Sequence, residues 1–313
     1  MITGFMRRMK MKYTTKGKVF YPDYYANMYF CNNETFQNQG EVDCRYQIIL
    51  IEKGCGFLKV GETRSVILSP MICCLNEKER VEIEKSADIK ARSLYFSPDI
   101  INKSLSFDNM HDEAAQMALT DSQDRWYLRP FYLRDSKYPG IFHVEDSLLN
   151  RLSRMLTNIG KELELQPDDG WPCRSRAFLI ELLMFLCRIY DCPSGNPIFH
   201  VTDSSCEIDP VLMYLHANYQ NKITLQKLSK DFHTNKTTLN IHFKRVTGVT
   251  AMNYLYKLRI SIACAMLRNT LLSISEILSM VGFKDDAHFG RIFKKHIQCS
   301  PSEYRERNCW MLY

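Results

Sequence analysis

Two short segments near the end of the chain present cations and hydrogen-bonding side chains at helical spacing. In the first, Lys236, Thr237, Asn240, Ile241 and Lys244 follow one another at steps of one and three residues, which puts them on one face of a helix, and Arg245 comes next. In the second, Asp286, Ala287, Gly290, Arg291 and Lys294 repeat those steps, followed by Lys295. Lysine and arginine supply fixed positive charge for phosphates, and planar amide or guanidinium groups fit base edges. This is recognition chemistry. The sequence holds no His-rich, Ser/His or paired-carboxylate constellation that would point to bond-making.

One basic helix face is ordinarily just solvated surface. Duplication changes that reading. Leu239, Phe243, Lys244, Thr250 and Tyr254 recur fifty positions later as Phe289, Phe293, Lys294, Ser300 and Tyr304, so one helical unit is built twice. In each copy two helices are expected in helix-turn-helix order. The first copy has a supporting helix from about Pro210 to Tyr219, then Leu225–Phe232 capped by Thr224, then Lys236–Val246 capped by Asn235 and ended by Gly248. A longer helix, Ala251–Arg268, joins the copies. In the second, Ser273 and Glu276 have capping-box spacing, Gly282 makes the turn, Asp285 caps Asp286–His296, and Ser300-Pro301 with Glu303 starts a last helix. Phe243, Phe283, Phe289 and Phe293 are expected in the core rather than as stacking platforms.

Upstream the period changes. Tyr46–Glu52 is a β-branched and aromatic run, Lys53–Gly56 reads as a turn, and Phe57–Val60, Thr63–Leu68, Val81–Glu84 and Ala91–Phe96 read as further strands. Short antiparallel strands at this spacing suggest a small barrel or sandwich. Apolar residues at helical spacing then mark two amphipathic helices. One carries Leu148, Leu152, Met155, Leu156, Ile159 and Leu163, the other Ala177, Ile180, Leu183, Met184 and Cys187. Residues 107–138 carry no firm signal, and the Pro, Gly and Ser/Asp cluster from Asp191 to Pro210 reads as a linker.

Of 313 residues 45% are hydrophobic and 24% charged, which excludes a disordered chain and a membrane protein. From Asp209 onward there are 15 Lys and Arg against 7 Asp and Glu, a net +8, while the remainder carries −2. The positive surplus is confined to the duplicated region, the electrostatic footprint of nucleic-acid binding. Arg7, Arg8, Lys10 and Lys12 make the amino terminus basic, but no apolar run of signal-peptide length follows, so a cytoplasmic location is expected. Twelve cysteines at irregular spacing, with no C-x-x-C pair, should be reduced thiols filling core positions. Cys73-Cys74 is weighed as a redox pair against two strand residues with one buried, and the latter is preferred.

The motifs V281-G-F283, F289-x-R-x-F-K-K295 and S300-P-S-E-Y-R305, after L239-x-x-x-F-K-x-x-T-G248, resemble the AraC family of bacterial transcription regulators over about residues 209–306. The front half is similar to that family's cupin-like effector domain only in layout. The resemblance implies that each second helix enters a major groove and that the joining helix sets the two about one DNA turn apart. Carried over by position, it puts Thr237, Asn240 and Ile241 of the first reading helix, and Asp286, Ala287, Gly290 and Arg291 of the second, against bases. Asn240 suits adenine and Arg291 guanine, each worth roughly 1 to 3 kcal/mol of discrimination. Lys236, Lys244, Arg245, Lys294 and Lys295 are assigned to phosphates.

The fold class expected is α+β multidomain, with an N-terminal cupin-like β-barrel and helical segment before a C-terminal all-α tandem helix-turn-helix domain. The boundaries are an arm at 1–15, the barrel at 16–105, helices at 106–195, a linker at 196–208 and the DNA-binding domain at 209–313. The function expected is a sequence-specific regulator, an activator rather than a repressor, binding double-stranded DNA under control of a signal or small-molecule effector sensed in front. It is expected to contact RNA polymerase, to form a homodimer through its front helices, and to need no cofactor, metal or membrane. Two rivals are a constitutive DNA-binding protein whose front half only dimerises, and a cupin enzyme fused to a DNA-binding domain. The first histidine, His111, follows every strand anticipated above, which argues against a metal cupin.

Overall fold

The computed structural model describes residues 13–36, 45–111, 117–134, 138, 140–144, 146–191 and 207–309. The basic residues at 7–12 and the linker up to 206 lie outside the described residues. Among the described residues eight strands precede the main helices: β1 (Thr15–Lys16), β2 (Tyr25–Ala26), β3 (Met28–Cys31), β4 (Tyr46–Val60), β5 (Thr63–Val66), β6 (Met71–Leu75), β7 (Val81–Phe96) and β8 (Ile141–His143). β1 and β2 form a small ribbon, and the rest form one antiparallel sheet of order β3-β7-β4-β6-β8, with β5 also on β4.

The turn expected at Lys53–Gly56 is not a turn. β4 runs straight through it beside β7, with register shifts at Ile51/Lys53, Lys53/Cys55 and Cys55/Phe57. Gly54 and Gly56 adopt φ of 121° and 149°, and a Cβ on either would meet the β7 backbone at 2.8–2.9 Å. These glycines serve bulges and a close backbone approach, which local sequence does not distinguish from a turn. Val81–Glu84 and Ala91–Phe96 are likewise one strand; β6 contains the Cys73-Cys74 pair read as strand residues, and β8 was not anticipated. β8 also places His143 on a strand, contrary to the ordering argument from His111.

Ile48, Ile49, Leu50 and Ile51 are all fully buried because both faces of the sheet are covered. Tyr46, Ile48, Leu50, Leu94 and Phe96 pack toward the helices, while Ile49, Ile51, Leu58, Val60 and Met71 meet one another where the sheet folds over its bulges. No ladder joins β3 to β8 among the described residues, so the sheet is open rather than a closed barrel. Its edge strands are only four and three residues long, and helices cover the outer face instead. Cys73 and Cys74 are both buried, and burial pushes the Cys73 thiol up to about 12 and the Cys74 thiol well above its ordinary value. Such thiols stay protonated and inert at neutral pH, so both are packing residues.

The described part of residues 107–138 contains three short helices, α1 (Phe107–Met110), α2 (Leu119–Trp126) and α3 (Arg129–Tyr132). α4 (Asp146–Leu165) and α5 (Trp171–Tyr190) are the two amphipathic helices. Leu152, Leu156 and Ile159 of α4 meet Leu179, Leu182 and Leu186 of α5 in the core against the sheet. The expected stripe on α5 is rotated: Ala177 faces out and Met184 is 41% exposed. The run is apolar on nearly every side, so packing rather than periodicity chose the phase. These stripes, offered as a dimer contact, are consumed within the chain.

Seven more helices follow among the described residues: α6 (Asp209–Asn218), α7 (Leu225–Asp231), α8 (Lys236–Thr247), α9 (Ala251–Asn269), α10 (Ile274–Met280), α11 (Asp286–Ile297) and α12 (Pro301–Asn308). They match the expected elements to within a residue or two. Phe57 and Val66 of the sheet join the core of the first helical unit, so the two halves share packed surface. Across it Arg64 grips Asp209 with Nη1 and Nη2 at 3.1 and 3.0 Å, and Lys85 Nζ adds a contact at 2.6 Å. No helix among the described residues is long and apolar enough to cross a membrane.

Candidate nucleic-acid interface

α8 begins where the Asn235 side chain accepts a hydrogen bond from the Thr238 N–H at 2.7 Å, and it ends at Gly248 in the left-handed conformation. Leu239, Phe243 and Val246, at four- and three-residue steps, turn one side into the core. α11 repeats the construction fifty residues later. Asp285 accepts from the His288 N–H at 2.6 Å, Phe289 and Phe293 are buried, and Gln298 takes the left-handed end at φ 68°. Both helices have 12 residues, and in both the closing residue's N–H donates to the lysine four back at 2.9 Å. Even the supporting ring pairs agree: Phe243 meets Tyr254 edge-on at 5.2 Å, and Phe293 meets Tyr304 edge-on at 5.7 Å.

Buried faces fixed in this way leave the opposite faces for a partner. On α8, Lys236, Thr237, Ile241, Lys244 and Arg245 are exposed, Ile241 to 61%. Lys236, Thr237, Asn240, Ile241 and Lys244 line one shallow groove of about 330 Å³ together with Thr250. On α11, Asp286, Ala287, Arg291, Lys294 and Lys295 are exposed and Gly290 is half-buried with open space above it. Lys236, Lys244 and Arg291 have no hydrogen-bond or ion-pair partner among the described residues, so their charge is available. Beside them His296 is held below the usual histidine value, first by burial and then by Lys257 and Lys295. It stays neutral, and the positive charge of that face rests on lysine and arginine.

Two of the anticipated contacts are already engaged. Asn240 is half-buried, and its side-chain oxygen accepts from the Ala251 N–H at 3.4 Å, at the start of α9 where Thr250 makes no side-chain cap. Bidentate pairing with adenine would have to release that long bond, a cost below about 1 kcal/mol. Arg245 lies 4.0 Å from Glu207, which also holds His242 at 2.9 Å. Glu207 is 62% exposed, so this pair is weak and exchangeable for a phosphate. Neither contact has a sequence signature, because both partners lie outside the helix they touch.

α9 connects the units. Its 19 residues span roughly 28 Å, against about 34 Å for one turn of DNA. The joint is stiff. Arg259 of α9 is buried and donates to the Tyr219 and Asn221 carbonyls of the first unit at 2.8 and 2.7 Å, while its guanidinium stands over the Phe283 ring of the second. Gly282, at φ 86°, lets the turn of the second unit touch the same place, since a Cβ there would lie 2.6 Å from the Gln220 carbonyl oxygen. The two readers are therefore tied together at one place.

The family profile described as "Helix-turn-helix domain" matches residues 228–307. Over 105 residues the chain is 38% identical to the uncharacterized HTH-type transcriptional regulator YdiP of Escherichia coli K12, a match spanning 33% of this chain and 35% of that relative. Over 262 residues, 83% of this chain and 85% of the relative, it is 22% identical to the HTH-type transcriptional activator RhaS of Escherichia coli O81. Among solved structures, the C-terminal domain of the two-component response regulator yesN from Fusobacterium nucleatum is 32% identical over 31% of this chain and 94% of that one, with a TM-score of 0.30. A matched helix-turn-helix domain, relatives that are regulators rather than enzymes, and two capped readers on one buried helix converge: the carboxy-terminal third of the chain is an AraC-type helix-turn-helix DNA-binding domain.

Proposed function

We propose that the protein is a sequence-specific transcription activator that lays α8 and α11 into neighbouring major grooves. The observation that carries this reading is the repetition of one capped, basic-faced helix on a shared rigid support. Thr237, Asn240 and Ile241 on α8, and Asp286, Ala287, Gly290 and Arg291 on α11, face bases. Lys236, Lys244, Arg245, Lys294 and Lys295 face phosphates, which position the protein without reading sequence. Arg291 supplies the strongest base preference, because its guanidinium is exposed and unpaired among the described residues. Activation is favoured by the name of the relative that spans both halves, and it entails contact with RNA polymerase. The front domain, cupin-like in layout though open, receives a small-molecule signal. The stripes of α4 and α5 pack internally, so the homodimer forms through other surfaces of the chain. A regulator of promoters works in the cytoplasm, beside the chromosome.

Selection of duplexes from a random pool by the full-length chain tests this reading. Enrichment of two shared elements centred about 10 base pairs apart is the expected result. A pool that stays random, or a single element unaffected by substitutions on α8, would refute it.

A further inference from the structure

One well-formed cavity among the described residues lies outside the sheet interior. That interior is filled by Ile49, Ile51, Leu58 and their neighbours. A space of about 450 Å³ opens instead between the sheet and the helical units. Its near wall comes from the bend of β4, the segment Val66–Pro70 and β8; its far wall comes from α6, α9 and α10. Small-molecule sites run from about 300 to 1,000 Å³ and are mostly apolar with a few polar groups, and this one conforms. Leu68 and Val144 face Met213, Ile262 and Met266 across it, and methionine side chains adapt to an occupant's shape. No Lys, Arg, Asp or Glu lines it among the described residues.

We propose that this interdomain cavity is a binding site for an uncharged, largely apolar small molecule carrying one or two hydrogen-bonding groups. The inference deepens the reading of the chain as a signal-responsive regulator and rests on it. His143, His216 and Gln220, with Ser69, Tyr219 and Thr270, are polar residues of the wall. Burial, and then the neighbouring His143, hold His216 at about 3, so that side chain is neutral at physiological pH. No Lys, Arg, Asp or Glu of the described lining offers a counter-charge, so an ionised ligand would lose its hydration with at most the His143 ring to offset it. The occupant touches α6 beneath the first reader, α9 between the readers and α10 of the second, as well as the sheet. A molecule that fits one arrangement of these walls better than another shifts how the readers are held.

Fluorescence titration of the full-length chain with prodan, an uncharged naphthalene ketone, tests the site, with anilinonaphthalene sulfonate as its anionic counterpart. Saturable binding of one prodan per chain is expected, with no saturable binding of the anion. Ala217→Trp on the helical wall and Leu68→Trp on the sheet wall, each checked for native circular dichroism, should weaken prodan binding at least tenfold. Two walls are used so that one misfolded variant leaves the other decisive. Absence of saturable prodan binding, equal binding of the anion, or indifference to both fillings would overturn the proposal. Salt-sensitive duplex binding is measured on the same samples. Its loss sinks the regulatory reading itself, whereas intact duplex binding without prodan binding sinks only the cavity.

Discussion

Asp209 carries a test of how the two halves are joined. Its carboxylate is 2% exposed, accepts two hydrogen bonds from Arg64 and one from Lys85, and sits in the first turn of α6. Arg64 is 7% exposed, stacks on the Phe57 ring at 3.7 Å and keeps a second carboxylate, Glu84, at 2.8 Å. Breaking a buried ion pair typically costs about 3 to 5 kcal/mol; because Glu84 still partners Arg64, Asp209→Ala should cost about 3 kcal/mol. Lys85 is 44% exposed, so solvent screens its share to below about 1 kcal/mol. A double-mutant cycle of Arg64→Ala and Asp209→Ala, read by urea unfolding of the full chain, should therefore return a coupling of about 2 kcal/mol. Burial pushes the Asp209 carboxyl up, but the hydrogen bonds from Arg64 and Lys85 outweigh it and hold the group below its ordinary value. The coupling is then complete above the unfolded value of about 3.9 and disappears as pH falls through the folded value. A coupling under about 0.5 kcal/mol at pH 7, or one that grows on acidification, would refute this account of the joint.

Arg291→Ala should relax base preference at one position of the downstream element, while Lys294→Ala should weaken binding to all sequences and reduce the salt slope by about one counterion; competition binding at several salt concentrations separates them, and equal loss on every sequence from both would reverse the assignment. Asn235→Ala removes the 2.7 Å cap bond of α8 and should cost roughly 0.5 to 2 kcal/mol, so an unchanged denaturation midpoint would deny the cap its role. Gly290 sits inside α11 with nothing within 4 Å of an added Cβ, so Gly290→Ala should stabilise the protein by about 0.8 to 1 kcal/mol in the same assay. Duplex binding should nevertheless weaken, because the methyl projects from the face assigned to bases; unchanged binding would move the DNA to another face.

The carboxy-terminal helices were legible because their signals are short-range. Caps act over three residues, as at Asn235, Ser273, Asp285 and Ser300, and buried faces follow from four-residue steps such as Leu239 to Phe243. The face opposite a known core is then determined, which is why the residues assigned to α8 were found lining one groove. The availability of each group was not legible. Asn240 leans on Ala251, and Glu207 occupies His242 and Arg245, through contacts that depend on where separate elements end up.

The front half marks the boundary more sharply. Its apolar runs established that strands and two amphipathic helices form there. They could not tell a bulge at Gly54 and Gly56 from a turn, nor an open sheet from a barrel, nor the side of α5 that packs inward. Those choices depend on pairing between distant segments, and a glycine or a leucine has the same local preferences in either outcome. Arg64 and Asp209 are 145 residues apart, and the cavity draws its walls from both halves of the chain. Sequence alone determined the two readers, because helix caps and periods are written in neighbouring residues; tertiary structure decided how the halves lock and where a small molecule has room, because only folding brings those residues within reach of one another.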